Sequence, residues 1–203
     1  MGVRVRAWAR AVAGAVFAAA LVAAGPVGNA AAADWRDEPG MLEVVHMPPD
    51  VLPWYGGSTG RGWDNYTPCL SDWAFEPPEE NVWRGHFQTS ETASAYQRVI
   101  AFPTETEAVA FAGAARQQYA GCADRQTYPG YVVTAYDHGS VDVEEGATVG
   151  GVGVVDGSRY HNYLYGVGRD GDTVTLVEWE SNWTTPDPTA FKETVRAAVD
   201  RLY

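Results

Sequence analysis

The sequence predicts an α+β fold in which an antiparallel β-sheet is covered on one face by two main helices and tied by one disulfide. Three stretches indicate it. A capped, alanine-faced helix is predicted from Thr104 to Cys122. Strands joined by two Asp-Gly turns are predicted between Thr148 and Glu180, and an amphipathic helix from Pro188 to Tyr203. Tight turns pair neighbouring strands antiparallel, and amphipathic helices need an apolar surface, so helices on a sheet are expected.

Residues 1–33 are predicted to be a signal peptide. Three arginines precede an alanine- and valine-rich run at 11–25, and Ala31-Ala32-Ala33 offers small residues for cleavage before Asp34. That run is too short and too weakly hydrophobic for a good spanning helix, and nothing comparable follows it. We therefore expect a secreted, extracellular protein, cleaved near Ala33, with no membrane span in the mature chain.

The mature chain is strongly acidic. Without the three arginines of residues 1–33 it carries 11 basic and 26 acidic residues, a net charge of −15. Such a charge repels phosphate backbones and anionic lipid surfaces, so nucleic acid is not expected as a partner. The remaining 170 residues suit a single domain.

Within that domain, residues 34–80 are predicted to be an irregular wrap rich in proline, glycine and tryptophan, and residues 81–203 to be the α+β core. Proline disfavours long regular elements, yet the aromatic content is too high for a disordered linker. The glycine-rich stretch 56–60 lacks the lysine of a phosphate-binding loop and is interpreted as a flexible turn.

The core is predicted to run in the order β-β-α-β-β-β-β-α. Alternating or β-branched stretches predict strands at 81–89, 95–102, 131–137, 148–155, 158–167 and 173–180. Thr104 and Glu107 form a capping box for the first helix, and Asp187 is a natural cap for the second. The apolar stripe of the first helix consists of Ala108, Phe111, Ala112, Ala115, Tyr119 and Cys122.

Cys69 and Cys122 are the only cysteines, and in an exported chain they most simply form one structural disulfide. A redox pair would require a C-x-x-C spacing, which is absent.

The stretch RVIAFPTETEAVAFAGAARQQYAGCADR (98–125), the strand YVVTAYD, the Asp-Gly hairpins and the closing helix together resemble the extracellular sensor domain of the PknH-type mycobacterial receptor kinases. The resemblance covers about 81–203 and implies a secreted stand-alone member of that family. It implies a sheet and helices enclosing a cleft for an unidentified ligand, and no catalytic residues. The chain departs from the family's kinase-attached members, which carry two disulfides, because two cysteines allow only one.

Among the other side chains, the four histidines show no metal-ligand spacing, so neither a metal site nor a cofactor is expected. Seven tryptophans in the mature chain are more than a modest core usually takes, and several aromatics flank glycine, proline or turn residues. Rings at such positions either frame a ligand cleft or pack the wrap against the sheet. The candidate ligand-binding residues are Trp54, Tyr55, Trp63, Trp179, Trp183 and His161, with Tyr66 among the neighbouring rim aromatics.

The leading functional hypothesis is a secreted, non-enzymatic sensor-type domain that binds a small molecule or a cell-envelope component. The alternative is a small secreted glycan hydrolase that uses a carboxylate such as Glu178, which shares a strand face with Glu180. A third hypothesis is a protein-partner module docked through an exposed sheet edge.

Overall fold

A computed structural model of the chain describes residues 38–63, 69–70, 77, 81–184 and 187–202. The predicted signal peptide and Tyr66 lie outside these residues. The elements are a short 3-10 helix (Val44–His46), β1 (Tyr55–Arg61), β2 (Val82–Gln88), β3 (Ser94–Ala101), α1 (Glu105–Ala120), α2 (Cys122–Arg125), β4 (Tyr131–Val141), β5 (Ala147–Asp156), β6 (Arg159–Asp170), β7 (Thr173–Ser181) and α3 (Pro188–Asp200).

In this part of the chain seven strands form one antiparallel sheet, in the order β1-β2-β3-β7-β6-β5-β4. The antiparallel sheet, the two main helices and the disulfide of the predicted fold class are thus confirmed. All six predicted strands are present as β2 to β7. None of the described helices combines the length and the apolar character that crossing a membrane requires.

Strand β1 was not predicted from the sequence. Its glycine-rich stretch was expected to be a flexible turn, but it pairs with β2 along the edge of the sheet. Gly56 and Gly60 have φ angles of 128° and 100°, and the pairing register shifts between Ser58 and Gly60. Glycine therefore serves here as a bulge residue within an edge strand.

Two tight hairpins connect β5, β6 and β7, as predicted, but the turns lie one residue later than Asp-Gly. Asp156 pairs with Arg159 across the first turn, so Gly157 is the first of its two central residues. Gly157 has a φ angle of 59°, and no residue other than glycine among those described has positive φ. Glycine at the first central position is the pattern of a type II′ turn, which matches the twist of the strands it joins.

Helix α1 begins as its sequence predicts. The Thr104 hydroxyl accepts a hydrogen bond from the Glu107 amide at 3.3 Å. The reciprocal half of the capping box differs, because the Glu107 carboxylate accepts from the Thr104 hydroxyl at 2.9 Å. The predicted stripe is buried against the sheet: Ala108, Phe111, Ala112, Ala115 and Tyr119 of α1, followed by Cys122.

The two main helices lie on opposite faces of the sheet, and the prediction that they share one face is wrong. Consecutive residues of a strand point to opposite faces. Leu176 of β7 packs in the cluster that contains Phe111 of α1, whereas Val177 packs in the cluster that contains Phe191 and Val195 of α3. Because the central strand β7 is apolar on both sides, a helix on one face alone would leave the other face open to water.

The disulfide joins Cys69 to Cys122, as predicted, with a Cα–Cα distance of 4.9 Å. Both cysteines are buried in the cluster under α1. Arg125 of α2 adds a hydrogen bond from its guanidinium to the Cys69 carbonyl at 2.6 Å. Helix α2 is thereby fastened to Cys69, which lies between β1 and β2 in the chain.

Candidate functional site

A polar cavity of about 450 Å³ opens where β6 and β7 meet the turn between β2 and β3. Its walls come from three places: the turn at 88–94, His161 and Tyr163 of β6, and the end of β7 with the residues that follow it. Antiparallel pairing brings these segments together, since Ser94 and Tyr163 both pair with Glu180.

Glu180 is a cavity residue whose carboxyl has a raised pKa. It is partly buried, and burial raises the pKa of its carboxyl above the ordinary value of 4.5. The negative charge of Glu178 on the same strand face raises it further, while His161 opposes the shift. Glu180 therefore holds its proton to a higher pH than an ordinary carboxyl. It accepts hydrogen bonds when it is ionised, and it also donates one when it is protonated.

The hydroxyl-bearing turn between β2 and β3 is held by its own side chains. The Thr89 hydroxyl oxygen accepts from the amides of Thr92 and Ala93, each at 2.9 Å. Ser181, at the end of β7, donates its hydroxyl to the Thr92 carbonyl at 2.5 Å. The turn and the end of β7 therefore form one fixed wall of the cavity.

Trp183 stands at the rim of this cavity with 77% of its surface exposed. The Ser181 hydroxyl oxygen accepts from the Trp183 amide at 3.0 Å and from the Thr184 amide at 2.9 Å. These bonds fix the backbone that carries the indole. A large aromatic ring left in water beside a polar cavity is available for contact with a ligand.

A buried ion pair joins β3 and β7 next to the cavity, outside its lining. Arg98 of β3 donates to the Glu178 carboxylate at 2.6 Å, and their side chains are 1% and 10% exposed. The Arg98 guanidinium also lies 5.3 Å from the ring centroid of Trp63. Glu178 is not among the residues that line the cavity. Its position fits a structural role, because a buried carboxylate requires a partner.

The predicted ligand-binding residues separate into two groups. His161 and Trp183 line the polar cavity, whereas Trp54, Tyr55, Trp63 and Trp179 do not. Trp179 is 2% exposed and packs in the cluster under α3, so it fills the core instead of framing a cleft.

The other three aromatics have separate surroundings. The indole of Trp54 donates to the Pro48 carbonyl at 2.8 Å and packs beside the cluster under α3. Trp63 is partly buried against the cluster under α1. Tyr55 is 45% exposed at the start of the edge strand β1.

Glu180 and the turn between β2 and β3 were not among the predicted site residues. The sequence did place Glu180 on the same strand face as Glu178, which the pairing register confirms. The sequence did not indicate which of these two carboxylates would line a cavity. Across the described part of the chain, no group of three or more His, Cys, Asp or Glu side chains is placed to hold a metal ion.

Stability is expected to fall as the pH rises through the titration of Glu180. Because its folded-state pKa is raised, the folded chain binds more protons than the unfolded chain between the two pKa values. The stabilisation from this proton is complete below the ordinary pKa and is lost above the folded one. Glu180→Gln should therefore melt about 1–3 °C above the wild type near pH 7, with little difference near pH 4.

Glu91→Gln is the matched control for thermal melts over this pH range. It makes the same amide substitution at an exposed carboxylate that lines the same cavity. An offset of Glu180→Gln from the wild type that does not change with pH would contradict the burial of Glu180.

No protein-family model matches the sequence, and a search of curated proteins finds no match. Among solved structures, the chain is similar to the extracellular domain of PknH from Mycobacterium tuberculosis. The two share 15% sequence identity and a TM-score of 0.43, over 74% of this chain and 80% of that chain. The resemblance predicted from the sequence is thus confirmed as a coarse similarity of fold. At this TM-score nothing about the action of PknH is carried over to this chain.

Proposed function

We propose that this protein is an exported, non-enzymatic ligand-binding domain of the sensor type. The polar cavity beside the turn between β2 and β3 takes a hydroxyl-rich molecule, such as a glycan fragment of the cell envelope. The observation that carries the proposal is the combination of Glu180, His161 and several hydroxyls with the exposed indole of Trp183 around one cavity.

This combination suits a carbohydrate. Sugar hydroxyls both donate and accept hydrogen bonds, and Glu180, His161 and the hydroxyls of the turn offer both kinds of partner. The C–H face of a sugar ring is apolar and stacks on an indole such as that of Trp183. The cavity volume of about 450 Å³ lies within the usual range for small-molecule sites.

Export is supported by the Cys69–Cys122 disulfide, since disulfides persist chiefly in oxidising compartments. The signal peptide predicted at residues 1–33 agrees with that compartment.

The hydrolase alternative is less well supported. Its two-carboxylate scheme requires both carboxyl groups beside the substrate. Glu178 is 7% exposed, is paired with Arg98, and lies outside the cavity lining. A Glu178-based mechanism would first have to break a buried ion pair.

We expect Trp183→Ala to weaken glycan binding about five- to tenfold, because it removes the stacking surface. Glu180→Gln should weaken it by a similar factor through a lost charge-assisted hydrogen bond. The measurement is isothermal titration calorimetry with soluble chito-, manno- and arabino-oligosaccharides, together with tryptophan emission of the wild type.

Tyr55→Ala is the matched control, because it removes an exposed aromatic ring that lies outside the cavity. It should bind as the wild type does. The proposal fails if no oligosaccharide binds, or if Tyr55→Ala loses as much affinity as Trp183→Ala. Turnover of any of these oligosaccharides would favour the hydrolase instead.

A further inference from the structure

A second cavity, of about 430 Å³, lies between α1 and the β4–β6 part of the sheet face that α1 covers. It has a different character from the first. Ala120 of α1, Ala135 of β4 and Val167 of β6 contribute apolar wall, and three tyrosines contribute ring surface: Tyr119, Tyr136 and Tyr165. The polar cavity shares none of the residues that line it.

Tyr119 and Tyr165 form a fixed aromatic wall. The rings of Tyr119 and Tyr165 stack at a centroid distance of 4.5 Å, with 7° between their planes. Tyr165 lies over Gly150 of β5, where a Cβ atom would come within 2.5 Å of the ring. Glycine at this position admits the ring against the sheet. The wall is therefore suited to a flat aromatic or aliphatic body.

Arg116 of α1 is the cation of this cavity. Its side chain has no hydrogen bond and no ion pair with any residue in the described part of the chain, and its Nε is buried without a partner. Burial lowers the pKa of the guanidinium, and repulsion from Arg169 lowers it further. A partly desolvated cation without a counterion gains from an anion placed beside it.

The cavity also contains a carboxylate that does not pair with Arg116. Asp137 of β4 also lines it, and its carboxylate accepts from the Gly139 amide at 2.8 Å. Arg116 and Asp137 are not paired with each other. The cation on the helix wall is thus left for a ligand.

We infer that this second cavity binds an anionic ligand with a flat apolar body, such as an aromatic carboxylate or sulfonate. The anion lies at Arg116 and the body lies against Tyr165 and the alanine walls. This goes beyond glycan binding in the polar cavity and does not depend on it.

The test uses two probes that share an aromatic body and differ in charge. 1-Anilinonaphthalene-8-sulfonate carries the anion, and N-phenyl-1-naphthylamine lacks it. Both are titrated into the purified protein and followed by their fluorescence. Arg116→Gln should raise the Kd of the sulfonate about tenfold, the usual effect of losing one charge-assisted hydrogen bond. The Kd of the neutral probe should change less than about twofold, since its body contacts remain.

Four further variants complete the design. Arg159→Gln removes an exposed arginine at the β5–β6 hairpin, outside the cavity, and should leave both affinities unchanged. Asp137→Asn should bind the sulfonate at least as tightly as the wild type. Ala135→Phe fills the cavity from its exposed wall and should weaken both probes at least tenfold, as expected for a blocked site. Trp183→Ala should change neither probe.

The inference is overturned if the protein binds neither probe, or if Arg159→Gln weakens the sulfonate as much as Arg116→Gln does. It is overturned equally if Arg116→Gln weakens both probes by the same factor, or if Ala135→Phe weakens neither.

Discussion

Glu178→Gln is expected to lower the free energy of unfolding by about 3–5 kcal/mol, because it removes the negative charge that Glu178 places beside a buried guanidinium. Arg98, with a side chain 1% exposed, donates to the Glu178 carboxylate at 2.6 Å. A neutral amide still accepts a hydrogen bond, but it does not balance the charge. Urea denaturation measures the loss, which should appear in the midpoint with an unchanged m-value.

Glu180→Gln is the matched control for this prediction, because it makes the same change two residues along on the same strand face. It should cause no loss of stability at neutral pH. The double variant Arg98→Met with Glu178→Leu should recover most of the stability, since an apolar pair of similar volume replaces a buried ion pair at little cost. A Glu178→Gln variant within about 1 kcal/mol of the wild type would show that the pair is not buried as described.

The Glu178→Gln variant also distinguishes a structural role of Glu178 from a catalytic one. A hydrolase built on Glu178 predicts a stable Glu178→Gln protein that has lost turnover. The buried ion pair predicts a destabilised protein that still binds oligosaccharides, although the pKa of Glu180 falls because the charge of Glu178 no longer raises it. Stability and oligosaccharide binding measured together on this one variant therefore distinguish the two functions.

The double variant Cys69→Ala/Cys122→Ala is expected to lose about 4 kcal/mol of stability, the loop-entropy value for a closed loop of this length. The two cysteines are 53 positions apart, and the loop between them contains β2, β3 and α1. Without the bond the unfolded chain gains conformational freedom, while the folded chain keeps its packing. Urea denaturation of wild type and variant measures the difference.

Reductant provides the control for the disulfide. Dithiothreitol should lower the stability of the wild type to that of the double variant, and it should have no effect on the variant itself. A loss below about 1 kcal/mol would mean that the unfolded chain is already compact without the bond.

Local patterns identified most of the elements. The capped start of α1 and its alanine-faced stripe follow from hydrogen bonds and side-chain spacing within a few residues. Gly157 and Gly171, with φ angles of 59° and 53°, mark the two hairpins for the same reason. The disulfide followed from having two cysteines and no third.

Local sequence patterns did not identify β1 as a strand. Its sequence has few side chains with a strand preference, and its strand conformation comes from hydrogen bonds to β2. A partner strand supplies those bonds, and a local pattern does not reveal that partner.

Whether each aromatic residue is buried or exposed also depends on tertiary contacts. Trp179 and Trp183 lie four residues apart and both flank polar residues, yet the first is 2% exposed and the second 77%. Alternation along β7 places Trp179 on the face opposite Glu178 and Glu180, but its burial depends on the cluster that α3 and other parts of the chain form on that face.

The sequence by itself determined the two main helices, the six core strands, the disulfide and the acidic character of the chain, because each depends on neighbouring residues or on composition. The tertiary structure decided which sheet face each helix covers and that Glu178 is ion-paired while Glu180 meets a cavity. It also placed Arg116 at a second cavity, where no carboxylate of the described residues pairs with it. These features depend on residues brought together from distant parts of the chain, and the free energy of burying a group depends on all of its neighbours at once.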